Sequence, residues 1–246
     1  MKRRVRTAVF AFCIVFAVVM VSGAADAIRA AVPRALDIER LPVIILDAGH
    51  GGMDGGAVAS GGLMEKEINL AITLKLRDML TALGFEVVLT REDDRSIHDE
   101  GVQGVRRQKT SDLHNRLAIA QQYSPNVIFL SIHQNKFQDT SSHGAQIFYS
   151  PNHTSSEVLA RILQDTIIEM VQPENQRDIK KAGDNLYLMH EAECPAVLIE
   201  CGFLSNISDT RNLTNPAYQK DLAFSITVSL LRYLGLDQPV IMREAA

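Results

Sequence analysis

Three apolar, β-branched runs of this 246-residue chain are each followed by a side chain that can bind a metal ion or move a proton. The runs are residues 44–46, 127–132 and 196–199. The side chains are the imidazoles of His50 and His133 and the carboxylate of Glu200. The carboxyl ends of parallel strands share one crevice, and ligands bind there. The sequence therefore predicts a zinc-hydrolase site assembled from distant parts of the chain.

A third metal ligand is needed, because catalytic zinc sites use three protein ligands and keep one position open. Glu65 is the predicted third ligand. It opens a predicted helix directly after the glycine-rich loop that starts at His50, so it lies beside the strand ends. Glu67, two residues on, points elsewhere around the helix. Alone, Glu65 would be explained by a favourable interaction with the helix dipole. The joint pattern with His50 and His133 favours a site for one Zn²⁺ ion.

The residues around the two histidines support this interpretation. Three glycines flank His50 and leave room for a metal ion and a substrate. Ser131 and Asn135 offer short polar groups that can orient His133. Asp47 either accepts a hydrogen bond that helps to orient a metal ligand or caps the local turn. The other histidines are predicted not to be ligands: His98, His114, His143, His153 and His190.

Glu200 is the predicted general base. It follows four apolar residues of a buried strand, and charged side chains are rarely buried without a partner. Burial raises the pKa of a carboxyl group toward the range in which it can take up and release a proton. The alternative is a structural salt bridge to an arginine such as Arg116 or Arg177.

Alternating strands and helices predict one α/β domain with a mostly parallel sheet of about six strands and helices on both faces. The predicted strands are residues 42–47, 85–90, 127–132, 144–150, 186–189 and 196–201. The predicted helices are 65–83, 111–123, 154–172 and 217–234, and residues 91–109 are predicted to be a surface loop. Thr154 and Glu157 have the spacing of a helix-capping box.

The N-terminus has the features of an export signal: basic residues 2–6, an apolar run over 8–21 and small residues after it. An uncleaved membrane anchor and a buried helix are the alternatives. The predicted domains are a signal or anchor at 1–27, a linker at 28–40, a catalytic domain at 41–236 and a tail at 237–246. The net charge of −4 does not suggest a nucleic-acid partner. Cys194 and Cys201, separated by an extended run of about 20 Å, are not expected to pair.

These residues resemble the zinc-dependent N-acetylmuramoyl-L-alanine amidases of bacterial cell walls. The matching motifs, in family order, are Asp47–Gly52, Asp54–Ala57, Glu65–Lys66, Leu89–Arg91, Ser131–Asn135 and Pro195–Asn206. The resemblance implies that His50, Glu65 and His133 bind zinc and that Glu200 activates water. The family usually has proline at position 48 and threonine, serine or valine at position 201, where this chain has Ala48 and Cys201. Neither of these two positions is a predicted zinc ligand.

The segment from Glu100 to Arg116 resembles the germination-specific subgroup that acts in spore-cortex maturation. In that subgroup the amidase removes the peptide from muramic acid, and a partner deacetylase followed by ring closure gives muramic-δ-lactam. The resemblance implies a peptidoglycan substrate and an exported enzyme on the extracytoplasmic side or in the forespore intermembrane space. It also implies an accessory sporulation protein and membrane contact only through the N-terminal segment.

Two other functions fit part of the pattern. One is a zinc peptidase or deacetylase that acts on a different substrate. The other is a wall-binding protein that keeps the fold without catalysis. The intact set of His50, Glu65, His133 and Glu200 argues against the second.

Overall fold

The computed structural model describes residues 41–237. The predicted signal or anchor at 1–27 and the linker at 28–40 lie outside the described residues, as does nearly all of the tail. Across 41–237, no helix is both long enough and apolar enough to cross a membrane. The described part of the chain forms one α/β domain.

A six-stranded sheet forms the centre of the described domain, in the order β2-β1-β3-β6-β4-β5. The strands are β1 (Val43–Ala48), β2 (Val87–Leu89), β3 (Val127–Asn135), β4 (Gln146–Tyr149), β5 (Lys180–Lys181) and β6 (Ala196–Phe203). All neighbouring strands are parallel except β4 and β6, which are antiparallel. The predicted mostly parallel sheet of about six strands is therefore confirmed.

Helices cover both faces of this sheet, as predicted. They are α1 (Glu65–Ala82), α2 (Val105–Gln121), α3 (Thr154–Met170), α4 (Tyr187–Glu191), α5 (Ile207–Leu213) and α6 (Pro216–Tyr233). Helices α1 and α3 both pack against α6 on one face, whereas α2 packs against β1 and α4 on the other. The central strands are buried on both sides, which is why their sequences are almost continuously apolar.

Three local predictions are wrong. Residues 186–189, predicted as a strand, belong mainly to helix α4, because a run of four apolar residues does not distinguish a strand from a helix. Helix α2 begins at Val105, not near Ser111, since its first two turns are polar and exposed. The N-cap of α3 is His153, whose ring nitrogen accepts a hydrogen bond from the Ser155 amide, so Thr154 is not the cap. Helix α5 and the two-residue strand β5 were not predicted.

Candidate metal centre and active site

The strand ends predicted to meet do lie side by side. Asp47 of β1 pairs in register with Ser131 of β3, two residues before His133. His133 in turn lies directly opposite Glu200 of β6. Because adjacent strands are about 4.8 Å apart, the side chains at these ends face one common crevice.

His50 reaches the crevice from a tight loop after β1. Its backbone has a φ of 63°, a left-handed conformation that few residues other than glycine adopt, and Gly51 and Gly52 also have positive φ angles. The loop then returns to α1, where the Glu65 amide donates to the Ala57 carbonyl over 2.8 Å. The glycines thus let the chain reverse and bring the first residue of α1 next to His50.

His50, Glu65 and His133 form one cluster, with one ligand atom from each within 4.8 Å of the others. Nε2 of His50 is 3.2 Å from Oε2 of Glu65. Nδ1 of His133 is 2.9 Å from Oε1 of Glu65. It is the only group of this kind with potential metal ligands in residues 41–237. The structure therefore brings the three predicted ligands together.

The Glu65 carboxylate is fixed from several sides. It is 3% exposed and accepts hydrogen bonds from the amides of Ala57 and Gln134. Asn69, one turn along α1, donates to Oε1 over 3.2 Å. Burial alone raises the pKa of Glu65, but its hydrogen bonds with His133 and His50 bring that pKa well below its usual range. The group is therefore an anion in a fixed orientation.

Asp54 and Lys109 lie behind His50, and their positions were not predicted. The Nδ1 atom of His50 is 2.9 Å from Oδ2 of Asp54, whose other oxygen is 2.7 Å from the Lys109 ammonium. Burial lowers the pKa of His50, but hydrogen bonds to Asp54 and Glu65 raise it to about 9. The cluster therefore favours positive charge at its centre. A carboxylate behind a histidine is also the usual arrangement for orienting a metal-binding imidazole.

Glu200 faces the cluster without a partner. Its Oε2 atom is shielded from solvent and makes no hydrogen bond within the described residues. Burial raises the pKa of Glu200 to about 7, with His133 opposing and Glu65 adding to this rise. The alternative of a structural salt bridge is not observed, since Arg116 pairs instead with Asp47 and Asp112.

Two buried arginines fix the loop that carries His50. Arg91 and Arg116 are each 1% exposed. Arg91 donates to the carbonyl oxygens of Ala48 and Gly49 over 2.8 and 3.0 Å. Arg116 donates to the carbonyl oxygens of Ala48 and His50 over 2.8 and 2.7 Å. Three consecutive carbonyl groups are thereby held in place, so the two arginines position His50 through its backbone.

Asp47 is part of this buried network and does not cap a turn. Its carboxylate accepts hydrogen bonds from Arg116 and Ser131, both over 2.5 Å, and from Thr90 over 2.8 Å. Burial raises its pKa, but the Arg116 guanidinium and the two hydroxyl groups lower it to about 2. Asn135, the other predicted neighbour of His133, accepts instead from the Lys136 amide.

The Asp47 carboxyl group is expected to make the free energy of unfolding depend on pH. Its pKa is lower in the folded state than in the unfolded state, so the unfolded chain binds more protons as the pH falls. The stabilisation is complete above the unfolded pKa and lost toward about pH 2, a change of about 2 kcal/mol. Urea unfolding between about pH 3 and 6 should show a shallower pH dependence for Asp47→Asn than for the wild type or the exposed control Asp184→Asn. Parallel curves for all three would contradict the assignment.

Gly49 lies against the His133 ring. A Cβ atom at this position would be 2.2 Å from Nε2 of His133. Gly49→Ala is therefore expected to displace the ring, lower the free energy of unfolding by about 1–3 kcal/mol and weaken metal binding. Gly55→Ala is the control, because its Cβ would meet only the flexible Met64 side chain at 3.1 Å. Denaturant midpoints and zinc titrations of the two variants test this, and equal values would show that His133 can move freely.

The remaining histidines and the two cysteines of residues 41–237 lie outside the cluster. Cys194 and Cys201 are both free thiols, and burial raises the pKa of Cys201 to about 12. Among the other histidines, His114 lies beside Tyr187 and His190 lies beside Glu191.

Comparisons with known proteins identify similar chains. The family model described as N-acetylmuramoyl-L-alanine amidase (Amidase_3) matches residues 44–232. A germination-specific N-acetylmuramoyl-L-alanine amidase of Bacillus subtilis (strain 168) is 39% identical over 191 residues, which cover 78% of this chain and 79% of that protein.

Solved structures give the same result. The CwlD amidase from Clostridioides difficile, in complex with the GerS lipoprotein, is 41% identical with a TM-score of 0.75, and the match covers 80% of this chain and 100% of that one. An N-acetylmuramoyl-L-alanine amidase from Clostridium difficile 630 is 30% identical with a TM-score of 0.69, covering 81% and 100% of the two chains. The matched family span contains the three residues of the cluster and the facing carboxylate, Glu200.

Proposed function

The chain belongs to the N-acetylmuramoyl-L-alanine amidase family, and on this premise we propose the roles of its site residues. His50, Glu65 and His133 hold one zinc ion, and Glu200 is the general base. The reaction is hydrolysis of the amide that joins the lactyl group of N-acetylmuramic acid to L-alanine. The observation that carries the proposal is the three-residue cluster with the unpaired Oε2 atom of Glu200 across from it.

The donor set fits zinc. Two imidazole nitrogens and one carboxylate oxygen are ligands that catalytic zinc sites use, and three protein ligands leave a position for a reactant. Glu65 is already anionic and fixed by backbone amides, so it need not reorganise to accept a cation. Asp54 holds Nδ1 of His50 and leaves Nε2 directed into the cluster. When bound, zinc polarises the scissile carbonyl and makes water nucleophilic at neutral pH.

The protein's own part in the reaction is proton transfer and positioning. The Oε2 atom of Glu200 accepts a proton from the attacking water, because no other donor in the described residues occupies it. The same oxygen then donates that proton to the nitrogen of the leaving L-alanine. A pKa near neutrality suits a group that must both accept and release a proton. Arg91 and Arg116 keep the His50 loop fixed during these steps.

Digestion of purified peptidoglycan tests the proposal. The zinc-loaded protein should release peptides with new amino-terminal L-alanine, detected by mass spectrometry of the soluble products, and elemental analysis should find one zinc ion per chain. New reducing sugars or acetate in place of these peptides would indicate another hydrolase activity. A protein that binds zinc and wall fragments but releases no product would indicate a non-catalytic wall-binding role.

We further propose that this reaction belongs to spore-cortex maturation. Removal of the peptide leaves a free lactyl carboxyl group on muramic acid. A deacetylase that then frees the neighbouring amine allows the two groups to condense with loss of water, giving muramic-δ-lactam. The similarity to a germination-specific amidase supports this setting. Cortex from a strain without the enzyme should contain no lactam by mass spectrometry.

The similarity to a germination-specific cell-wall amidase supports export. A solved structure of a similar enzyme supports an accessory protein. The similar CwlD amidase has been solved in complex with a lipoprotein, and we propose that this chain binds a partner of the same kind. We also propose residues 1–27 as a signal or anchor, 28–40 as a linker, 41–236 as the catalytic domain and 237–246 as a tail. Amino-terminal sequencing of the exported protein distinguishes cleavage from anchoring.

A further inference from the structure

Arg177 is separated from the proposed general base by one side chain, that of Gln146, and is not part of the cluster. Gln146 of β4 is directly opposite Glu200 in the antiparallel β4–β6 pair. Directly opposed residues extend from the same face of a sheet, with Cβ atoms about 4.5–5.5 Å apart. Oε1 of Gln146 accepts a hydrogen bond from Nη1 of Arg177 over 3.4 Å. The guanidinium is therefore one side chain beyond Glu200, on the side away from His133.

The Arg177 guanidinium is held in a fixed orientation. Its Nε group donates to the His143 carbonyl over 2.7 Å. Its central carbon lies 4.2 Å from the centre of the Phe203 ring. Phe203 in turn packs edge-on against Phe137 at 5.0 Å between ring centres. Stacking and two hydrogen bonds restrict the rotation of a side chain that is otherwise flexible, so little further ordering is needed to bind a ligand.

This guanidinium has no carboxylate partner within the described residues. Its hydrogen bonds to His143 and Gln146 use Nε and Nη1, and Nη2 makes none to residues 41–237. The neighbouring Asp178 pairs with Arg161 instead. Arg177 lines a polar cavity of about 470 Å³ that opens to solvent, and Glu174 lines the same cavity without forming an ion pair with the guanidinium. A planar, oriented guanidinium facing such a cavity matches the geometry with which arginine binds carboxylates.

The proposed substrate carries a carboxyl group at a suitable distance. In the stem peptide, L-alanine is followed by a glutamic acid residue that continues the chain through its side chain, so its α-carboxyl group is free unless it is amidated. Two extended residues span about 7 Å. Arg177 is one strand spacing of about 4.8 Å and one hydrogen-bonded side chain away from Glu200. The two distances are comparable.

We propose that Arg177 binds this free α-carboxylate and makes the enzyme select unamidated stem peptides, an inference that rests on the proposed amidase function. Arg177 contacts the substrate and does not take part in proton transfer. The open cavity keeps the interaction partly hydrated, so its effect on selectivity is modest compared with that of a buried pair.

The test compares two polymeric peptidoglycans that differ only in whether this carboxyl group is free or amidated. The rate at which peptides with amino-terminal L-alanine are released gives kcat/KM for each polymer. The wild type should prefer the free form by about tenfold, as expected for one charge-assisted hydrogen-bonded contact. Arg177→Gln should bring this ratio close to one, and Arg177→Lys should restore part of it. Arg106→Gln, which removes an exposed arginine of α2 on the other face of the sheet, should keep the wild-type ratio.

The outcomes separate the two proposals. If the wild type releases peptides with amino-terminal L-alanine from neither polymer, the amidase function fails and the inference fails with it. If it cleaves both polymers at equal rates, the function stands and the carboxylate site is wrong. If Arg177→Gln lowers both rates by the same factor and keeps the ratio, Arg177 has only a structural role through Phe203. Circular dichroism and zinc content confirm that the variants are folded.

Discussion

Replacing Glu200 with glutamine is expected to slow peptide release from peptidoglycan by about 10²–10⁴-fold while zinc binding is retained. Glutamine has nearly the same shape, but its side chain cannot accept and release a proton near neutral pH. Glu200 is across from the cluster and is not one of its three members. The variant therefore separates the chemical step from assembly of the site. Steady-state kinetics with elemental analysis of the same preparation measure both quantities.

Glu193→Gln is the matched control, because it makes the same change at an exposed position in the loop before β6. It should keep full activity and zinc content. If Glu200→Gln were as active as this control, another group would have to act as the base. If it lost zinc together with activity, Glu200 would be a ligand and the proposed division of roles would be wrong.

The parts of this site that could be predicted from the sequence are those that follow from strand patterning. An apolar run followed by His133 or Glu200 is a local signal, and a parallel sheet brings the ends of such runs together whatever their separation along the chain. Glu65 was placed by a similar argument, since a helix that follows a short loop must begin near the end of the preceding strand. These predictions needed only topology, and the structure places His50, Glu65 and His133 within reach of one ion.

The groups that support the cluster could not be predicted in this way. Arg91 lies in a stretch read as a surface loop, and Arg116 lies in a helix with a weak apolar pattern, yet both are buried. Charged residues are buried only when partners compensate them, and their partners are mostly backbone carbonyl groups that no side-chain pattern reveals. Asp54 was missed for a related reason, because its contact with His50 depends on loop dihedral angles.

The errors in secondary structure also have a common cause. Residues 186–189 are too few to show the regular spacing of apolar residues that distinguishes a helix from a strand. The first turns of α2 are too exposed to show it, so local composition misled the prediction in both places. Lys180–Lys181 forms β5 only because the edge of β4 is available to pair with it. None of these elements supplies a residue of the cluster, which is why the site was predictable although its surroundings were not.

Replacing Glu65 with glutamine is expected to have the largest effect, because one atom change removes a charge and reverses a hydrogen bond. Oε1 accepts from the Gln134 amide and lies 2.9 Å from His133, whereas Oε2 accepts from the Ala57 amide. An amide NH₂ group at either position would face a donor. We expect zinc affinity to fall by more than the roughly 10–100-fold that loss of an outer partner costs, and activity to fall to background. Zinc titration against a competing chelator and peptide-release assays measure the two effects.

Glu67→Gln provides a control on the same helix. Glu67 is two residues along α1 and exposed, so its replacement removes the same charge from the first turn without touching the cluster. If both variants lost zinc to a similar degree, the effect would come from the general charge of the helix terminus, and Glu65 would not be a ligand. If Glu65→Gln kept both zinc and activity, the cluster of His50, Glu65 and His133 would not be the metal centre.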